Sequence, residues 1–330
     1  MMHYQVRHVT RFDYANRVAF ARCNLRLKPI DWPGQTLLDY DLIVEPDSHT
    51  APARAEAGLA HVVRLVVDKP VRQLTIESVA RVDVDRPVPM PSAADPTLAD
   101  IAAWARASRD ISPSGPASYL FPSPRIPLDP EIADYCAADL DPARGCLEAG
   151  IALARRIQSE FDFDTTATLV DTPPIEAFSK RGGVCQDFAQ IMISGLRAAG
   201  LPAAYASGYI RTLPPEGQPR LVGADATHAW VLLWCGPYLG WVGLDPTNGI
   251  WMAGDHIVMA VGRDYGDIAP IDGVVLGSGV QAMHVSVDVE PLATSAISNA
   301  PLPFVSSEVE KREPRARERF STSLETNGDG

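Results

Sequence analysis

The chain has 330 residues, 46 % of them hydrophobic, and a formal net charge of −12. That apolar content supports a packed core and room for two domains, while the acidity repels phosphate backbones and argues against a nucleic-acid partner. The start, Met1-Met2-His3-Tyr4-Gln5-Val6-Arg7-His8, has no apolar signal core, and no run of about 18 apolar residues follows, so a cytoplasmic protein without a membrane partner is expected.

The acidic groups are unevenly placed. Residues 1–90 carry 12 basic and 11 acidic side chains, whereas residues 91–305 carry 12 and 24. The five cysteines, Cys23, Cys136, Cys146, Cys185 and Cys235, stand at irregular spacing with no C-x-x-C pair. Neither a zinc knuckle nor a thioredoxin motif is indicated, and no metal or other cofactor is implied.

In chain order, residues 2–28 alternate loosely between apolar and polar, and further β-rich runs occupy Leu37–Val44, His61–Val67 and Val71–Val84. This pattern predicts an antiparallel β-sandwich over residues 1–90. Arg86-Pro-Val-Pro-Met-Pro-Ser-Ala-Ala-Asp-Pro96 reads as a linker, so residues 91–128 hold a connection and one short helix over Leu98–Ala107. Asp129-Pro130 predicts a helix over Ile132–Leu140, and Asp141-Pro142 a longer one reaching about Phe161. In each, the aspartate accepts first-turn amides and proline occupies the first turn. Thr172-Pro173-Pro174 introduces another short helix. After Pro202 the period changes to two. Strands are predicted over Ala203–Ile210, His228–Trp234, Trp241–Leu244, His256–Val261 and Met283–Val289, which closes a second domain over 129–292. Residues 293–330 are mixed in charge and poor in apolar side chains, the composition of a disordered tail.

Between the helices and the strands lies Gly182-Gly-Val-Cys-Gln-Asp-Phe-Ala-Gln-Ile-Met-Ile-Ser-Gly-Leu-Arg-Ala-Ala-Gly200. Val184, Phe188, Ile191, Met192 and Leu196 recur at three and four, one buried helix face. Gly200 and Pro202 form the stop signal, with Leu201 placed to pack back on Leu196. The helix begins at or beside Cys185, where unpaired amides and the helix dipole favour thiolate over thiol. His228 opens one strand and Asp245 closes the next, with a short turn at Cys235–Gly240 between them. An antiparallel hairpin brings those two ends together, so the carboxylate can orient the imidazole and the imidazole can face the thiol. Asp187 is read as structural, accepting first-turn amides or holding a loop. Trp230 is near enough to His228 to line an acyl pocket.

At these residues the sequence resembles the transglutaminase-like superfamily. Gly183-Val-Cys185-Gln-Asp187-Phe188-Ala, Thr227-His228-Ala-Trp230 and Trp241-Val-Gly-Leu-Asp245-Pro-Thr247 are similar, in that order, to its three signature segments. Leu25-Arg-Leu-Lys-Pro29 resembles the N-terminal domain of bacterial members, and His256-Ile257 with Gly262-Arg-Asp-Tyr265 a further bacterial segment. The resemblance implies an α+β fold: the sandwich, then a papain-like core in which the nucleophile-bearing helix packs on an antiparallel sheet. It implies Cys185 as nucleophile, His228 as base then acid, and Asp245 as orienter. The Cys185 backbone amide is the first oxyanion donor, with Gln186 as a candidate site-lining residue. The expected reaction is attack on a peptide, isopeptide or glutamine amide through a thioester, hydrolytic in preference to transfer to an amine. The substrate is then a protein or peptide. A non-catalytic peptide-binding module is the alternative of another class.

Overall fold

A computed structural model describes residues 1–212 and 226–292. The expected tail over 293–330 lies outside the described residues. The N-terminal part runs β1 (Met2–Val18), β2 (Phe20–Leu25), β3 (Gln35–Glu45), β4 (His49–Ala53), β5 (Val62–Val67) and β6 (Val71–Val84). Strand alternation decides its core: in β6, Leu74, Ile76, Ala80, Val82 and Val84 point inward while their neighbours face outward. After the linker come α1 (Leu98–Ala107), a 3-10 turn at Pro116–Tyr119, α2 (Pro130–Ala137), α3 (Cys146–Glu160), β7 (Asp162–Phe163), α4 (Pro174–Lys180), β8 (Gly182–Gly183) and α5 (Cys185–Ala198). The remaining elements are β9 (Ala203–Ile210), β10 (Ala226–Trp234), α6 (Gly236–Leu239), β11 (Trp241–Asp245), β12 (Ile250–Trp251), β13 (His256–Gly262), α7 (Tyr265–Ile268), β14 (Ile271–Leu276) and β15 (Gln281–Pro291).

The helix signals resolve at the level of single caps. Asp129 accepts the Glu131 and Ile132 amides at the head of α2. α1 is capped by Thr97 in a reciprocal capping box with Asp100. The helix expected from Asp141 starts later, at Cys146. Asp141 closes its own turn on Ala143 and Arg144, and the carbonyls of Pro142 and Arg144 are taken by the first amides of α1. At the end of α5, Gly200 has φ of +75°. The Gly200 amide bonds to Arg197 O and the Leu201 amide to Leu196 O, the paired closure of a Schellman motif.

Three sheets organise the molecule. The central one, in order β12-β11-β10-β9-β13, is antiparallel throughout. One of its faces, with Ala203, Tyr205, Ala229, Val231 and Leu244, shares a core with the apolar side of α5. The other face, with Ala206, Trp230, Leu232 and Val258, packs on Ile30, Trp32 and Tyr119. The sandwich has two four-stranded sheets, β15-β1-β6-β3 and β14-β2-β5-β4. Its last members come from beyond the central sheet: β15 pairs with β1 from Tyr4↔Pro291 to Tyr14↔Gln281, and β14 pairs with β2. Residues 271–291, expected to close the second domain, therefore complete the first. The bodies are also continuous in their cores, because Tyr209, Ile257 and Met259 of the central sheet are buried among sandwich residues.

Candidate active site

The cysteine at the head of α5 is placed by its neighbours. Asp187, third in the helix, is buried, and its Oδ2 accepts the Val184 amide at 2.8 Å and the Thr168 hydroxyl at 2.6 Å. Burial pushes its pKa up, and those two hydrogen bonds work against that. Gly183 is required by this arrangement, since a Cβ there would lie 2.5 Å from Asp187 Oδ2. Cys185 and Gln186 stand in the first turn of α5, whose leading amides an α-helix cannot satisfy internally. Cys185 is half-buried, whereas the other four cysteines are buried.

The β10–β11 hairpin supplies the partners. Register pairs Val231 with Leu244, so His228 and Asp245 fall on the same sheet face near one end. His228 Nε2 lies 2.8 Å from Asp245 Oδ2. That leaves Nδ1 for Cys185, which is among the influences that raise the pKa of this ring. Burial alone would lower the His228 pKa, but Asp245 and Cys185 together push it up to about 10. Asp245 is fully buried and still held far below the usual carboxylate range, because two histidines offset its desolvation. Its Oδ1 accepts the amides of Thr247 and Asn248, and its Oδ2 also accepts Asn248 Nδ2 at 2.7 Å. Gly208, paired with His228 across β9, leaves room for the Trp230 ring: a Cβ there would lie 2.6 Å from it.

Two expected site residues have other tasks. Trp230 is completely buried, donates Nε1 to Met252 Sδ at 3.0 Å and lies beside the rings of His228 and His256. It is a floor under the imidazoles, not a wall open to substrate. Gln186 donates its side-chain amide to Val170 O at 2.8 Å, so it ties down the 164–173 loop instead of pointing an unused donor at the sulfur. Arg125 Nη1 holds the same Val170 carbonyl at 3.0 Å, and Lys180 holds Ala167 O.

The residue that sequence reasoning left without a task is His256. Its Nε2 lies 3.2 Å from Asp245 Oδ2, while its Nδ1 accepts the Ala253 amide at 3.4 Å. The only sequence signal was its place in the bacterial segment ahead of Gly262-Arg-Asp-Tyr265. His228, Asp245 and His256 bring ligand atoms within 4.8 Å of one another, a spacing at which a cation could be held. However, an Nδ1 that accepts a hydrogen bond puts the His256 proton on Nε2, facing the carboxylate. The cluster is satisfied as hydrogen bonds and does not present free lone pairs.

A sulfur at a helix head, beside an imidazole that a buried carboxylate orients, defines a cysteine-nucleophile enzyme. Comparison with known proteins supplies the family. Residues 4–83 match the bacterial transglutaminase-like N-terminal region and residues 131–246 match the transglutaminase-like superfamily. An uncharacterised protein of Mycobacterium tuberculosis strain H37Rv is 36 % identical over 307 residues, covering 89 % of this chain and 94 % of its own. The chain belongs to the transglutaminase-like superfamily. A protein-glutamine gamma-glutamyltransferase of Pseudomonas aeruginosa is 38 % identical over 100 residues, which are 29 % of this chain and 15 % of that one. A solved structure from Cytophaga hutchinsonii, named as a proposed cysteine protease, shares the fold with a TM-score of 0.69 at 21 % identity, covering 93 % of this chain and 94 % of its own.

Proposed function

We propose that the protein cleaves an amide of a peptide or protein through a thioester at Cys185, with hydrolysis as the main outcome. The observation that carries this reading is the convergence of Cys185, His228 and Asp245, with His228 Nε2 at 2.8 Å from Asp245. A charged His228 favours the Cys185 thiolate. The thiolate sulfur attacks the amide carbon, and the oxyanion that forms faces the amides at the head of α5. His228 then gives its Nδ1 proton to the departing amine, leaving a thioester and a neutral imidazole. Water attacks the thioester while His228 takes its proton, which releases the acid and restores the thiolate–imidazolium pair. Asp245 stays ionised throughout, and its two oxygens keep the ring from turning.

The same thioester passes to a primary amine if one reaches it before water. The Pseudomonas aeruginosa relative, named as a glutamyltransferase, favours keeping that second reading. The reactions separate in one assay: glutamine-bearing peptides, with and without a primary amine, against the native protein and Cys185→Ala. Chain cleavage or ammonia release dependent on Cys185 is the expected result, and amine incorporation would move the assignment to transfer. Absence of turnover on a broad peptide panel, with iodoacetamide labelling Cys185 no faster than the buried cysteines below pH 7, would overturn the catalytic reading in favour of a peptide-binding module.

A further inference from the structure

Apart from His228, the donors to Asp245 just described on β11 and after it are local: Thr247 and Asn248 lie two and three residues away in the same turn. His256 arrives from elsewhere. It stands on β13, at the far edge of the sheet from β12, and reaches the carboxylate across the face that carries Trp230. It is 1 % exposed and packed at 5.3 Å against the edge of Trp230. Burial, only partly opposed by Asp245, takes its pKa below the ordinary value, so it meets Asp245 as a neutral Nε2–H donor. Cysteine–histidine–aspartate chemistry does not by itself require a second histidine.

The placement of His256 depends on the sandwich. The turn 253–256 that feeds β13 is held by Arg86, whose Nη1 donates to Ala253 O at 3.2 Å and His256 O at 3.1 Å. The Tyr4 hydroxyl donates to Asp255 Oδ1 at 2.8 Å. Two residues into the strand, Gln35 takes both backbone groups of Val258, at 2.7 and 2.8 Å. Tyr4 is on β1, Gln35 on β3, and Arg86 follows β6. These three strands are neighbours in a single sheet of the sandwich. The charged or titratable groups facing this corner are Asp245, His228, Arg86, Tyr4, Asp255 and Arg211, the last 2.8 Å from Asp255.

We propose that His256 is a positioning residue that fixes the Asp245 carboxylate against His228, and that the N-terminal sandwich sets His256 in place through Arg86, Tyr4 and Gln35. This rests on the catalytic reading of Cys185, His228 and Asp245. With His256 removed, Asp245 keeps only His228 and its own turn. The carboxylate is then free to tilt toward Asn248, away from the ring it orients. The sandwich thereby acts as part of the catalytic apparatus without touching substrate.

The test is the pH dependence of iodoacetamide alkylation at Cys185 in the full chain, read by mass at that residue, with thermal melting as the folding control. His256→Leu is expected to move the acid limb up by about one pH unit, a tenfold slower reaction below it. His256→Gln, whose amide can still donate, should stay within about twofold of the native rate, and Arg86→Ala should slow it about threefold, the scale of one hydrogen bond. Arg7→Ala breaks the ion pair with Glu77 on the sandwich and should change nothing. A folded His256→Leu with the native profile would overturn the role of His256, as would a Gln variant as slow as the Leu variant. If the Leu variant does not fold, the Gln and Arg86 variants decide the matter, and an unshifted Arg86→Ala overturns the part given to the sandwich. His228→Ala separates the two layers. If it leaves the native profile unchanged, the catalytic reading fails and takes the role of His256 with it. If it abolishes the limb while the His256 and Arg86 variants behave as native, only the present inference fails.

Discussion

Two buried histidines in this molecule differ in charge at neutral pH, one neutral and one cationic. His8, 2 % exposed where β1 meets the central sheet, has the Tyr209 hydroxyl at 3.0 Å and the Thr10 hydroxyl at 2.9 Å. Burial takes its pKa down to about 4. His228, 7 % exposed, suffers the same desolvation as its largest single influence, yet Asp245 and Cys185 carry it up to about 10. Burial therefore sets the size of the stakes, while the charge of the partner sets the outcome. Hydroxyls satisfy a histidine and leave it neutral. A carboxylate makes it an acid. His256 falls between them, since it shares a carboxylate already committed to His228 and stays below its ordinary value.

The largest expected effect comes from giving His228 a neutral partner like those of His8. Asp245→Asn should lower turnover by about 10³–10⁴-fold through loss of the charged and correctly oriented ring, and should slow Cys185 alkylation at pH 6 by about 10²-fold. A loss under tenfold would break the comparison. The next effect is on stability against acid. The folded pKa of His8 lies below its unfolded value of about 6.5, so the unfolded chain takes the proton first and stability is lost as pH falls from there toward 4. Urea unfolding at pH 7.5 and pH 4 should show the native protein losing about 3 kcal/mol more than His8→Gln. His228 works in the opposite direction, because its stabilisation is complete below about pH 6.5 and is lost as pH rises through its folded value near 10. His228→Ala should therefore flatten the alkaline side of the same stability profile. The smallest effect sharpens the contrast: Thr10→Val leaves one ring nitrogen of His8 without its partner and should cost about 1 kcal/mol. It should leave Cys185 alkylation untouched.

How much of this was legible depended on the range of the contacts. Cys185 could be placed because its helix start is written locally in Gly182, Gly183 and the apolar spacing after it. His228 and Asp245 could be joined because a hairpin fixes which ends meet. His256 could not be given a role, since its contact crosses from β13 to β11 and depends on the curl of the whole sheet. Trp230 and Gln186 were aimed at the site by nearness in sequence. The strand pleat and the Val170 carbonyl decided otherwise. β15 was recognisable as a strand, but alternation reports burial of one face and not which sheet supplies the burying surface. That is why residues 271–291 fell into the wrong body.

The pairing of β15 with β1 has a consequence for dividing the protein. The central sheet and its helices are an insertion, entering after β6 and leaving before β14, and the sandwich closes only after the chain has returned. A cut after residue 90 does not release a catalytic unit. It strips β14 and β15 of the strands they pair with and leaves two unpaired edges, a surface prone to join other chains. The same cut removes Tyr4, Gln35 and Arg86. Excision of the stretch between β6 and β14, with its two ends rejoined by a short linker, is the division that follows the fold. Even then the sandwich, interrupted in sequence, gives up Tyr209, Ile257 and Met259 from its core, so the two bodies are separable in chain order but not in packing.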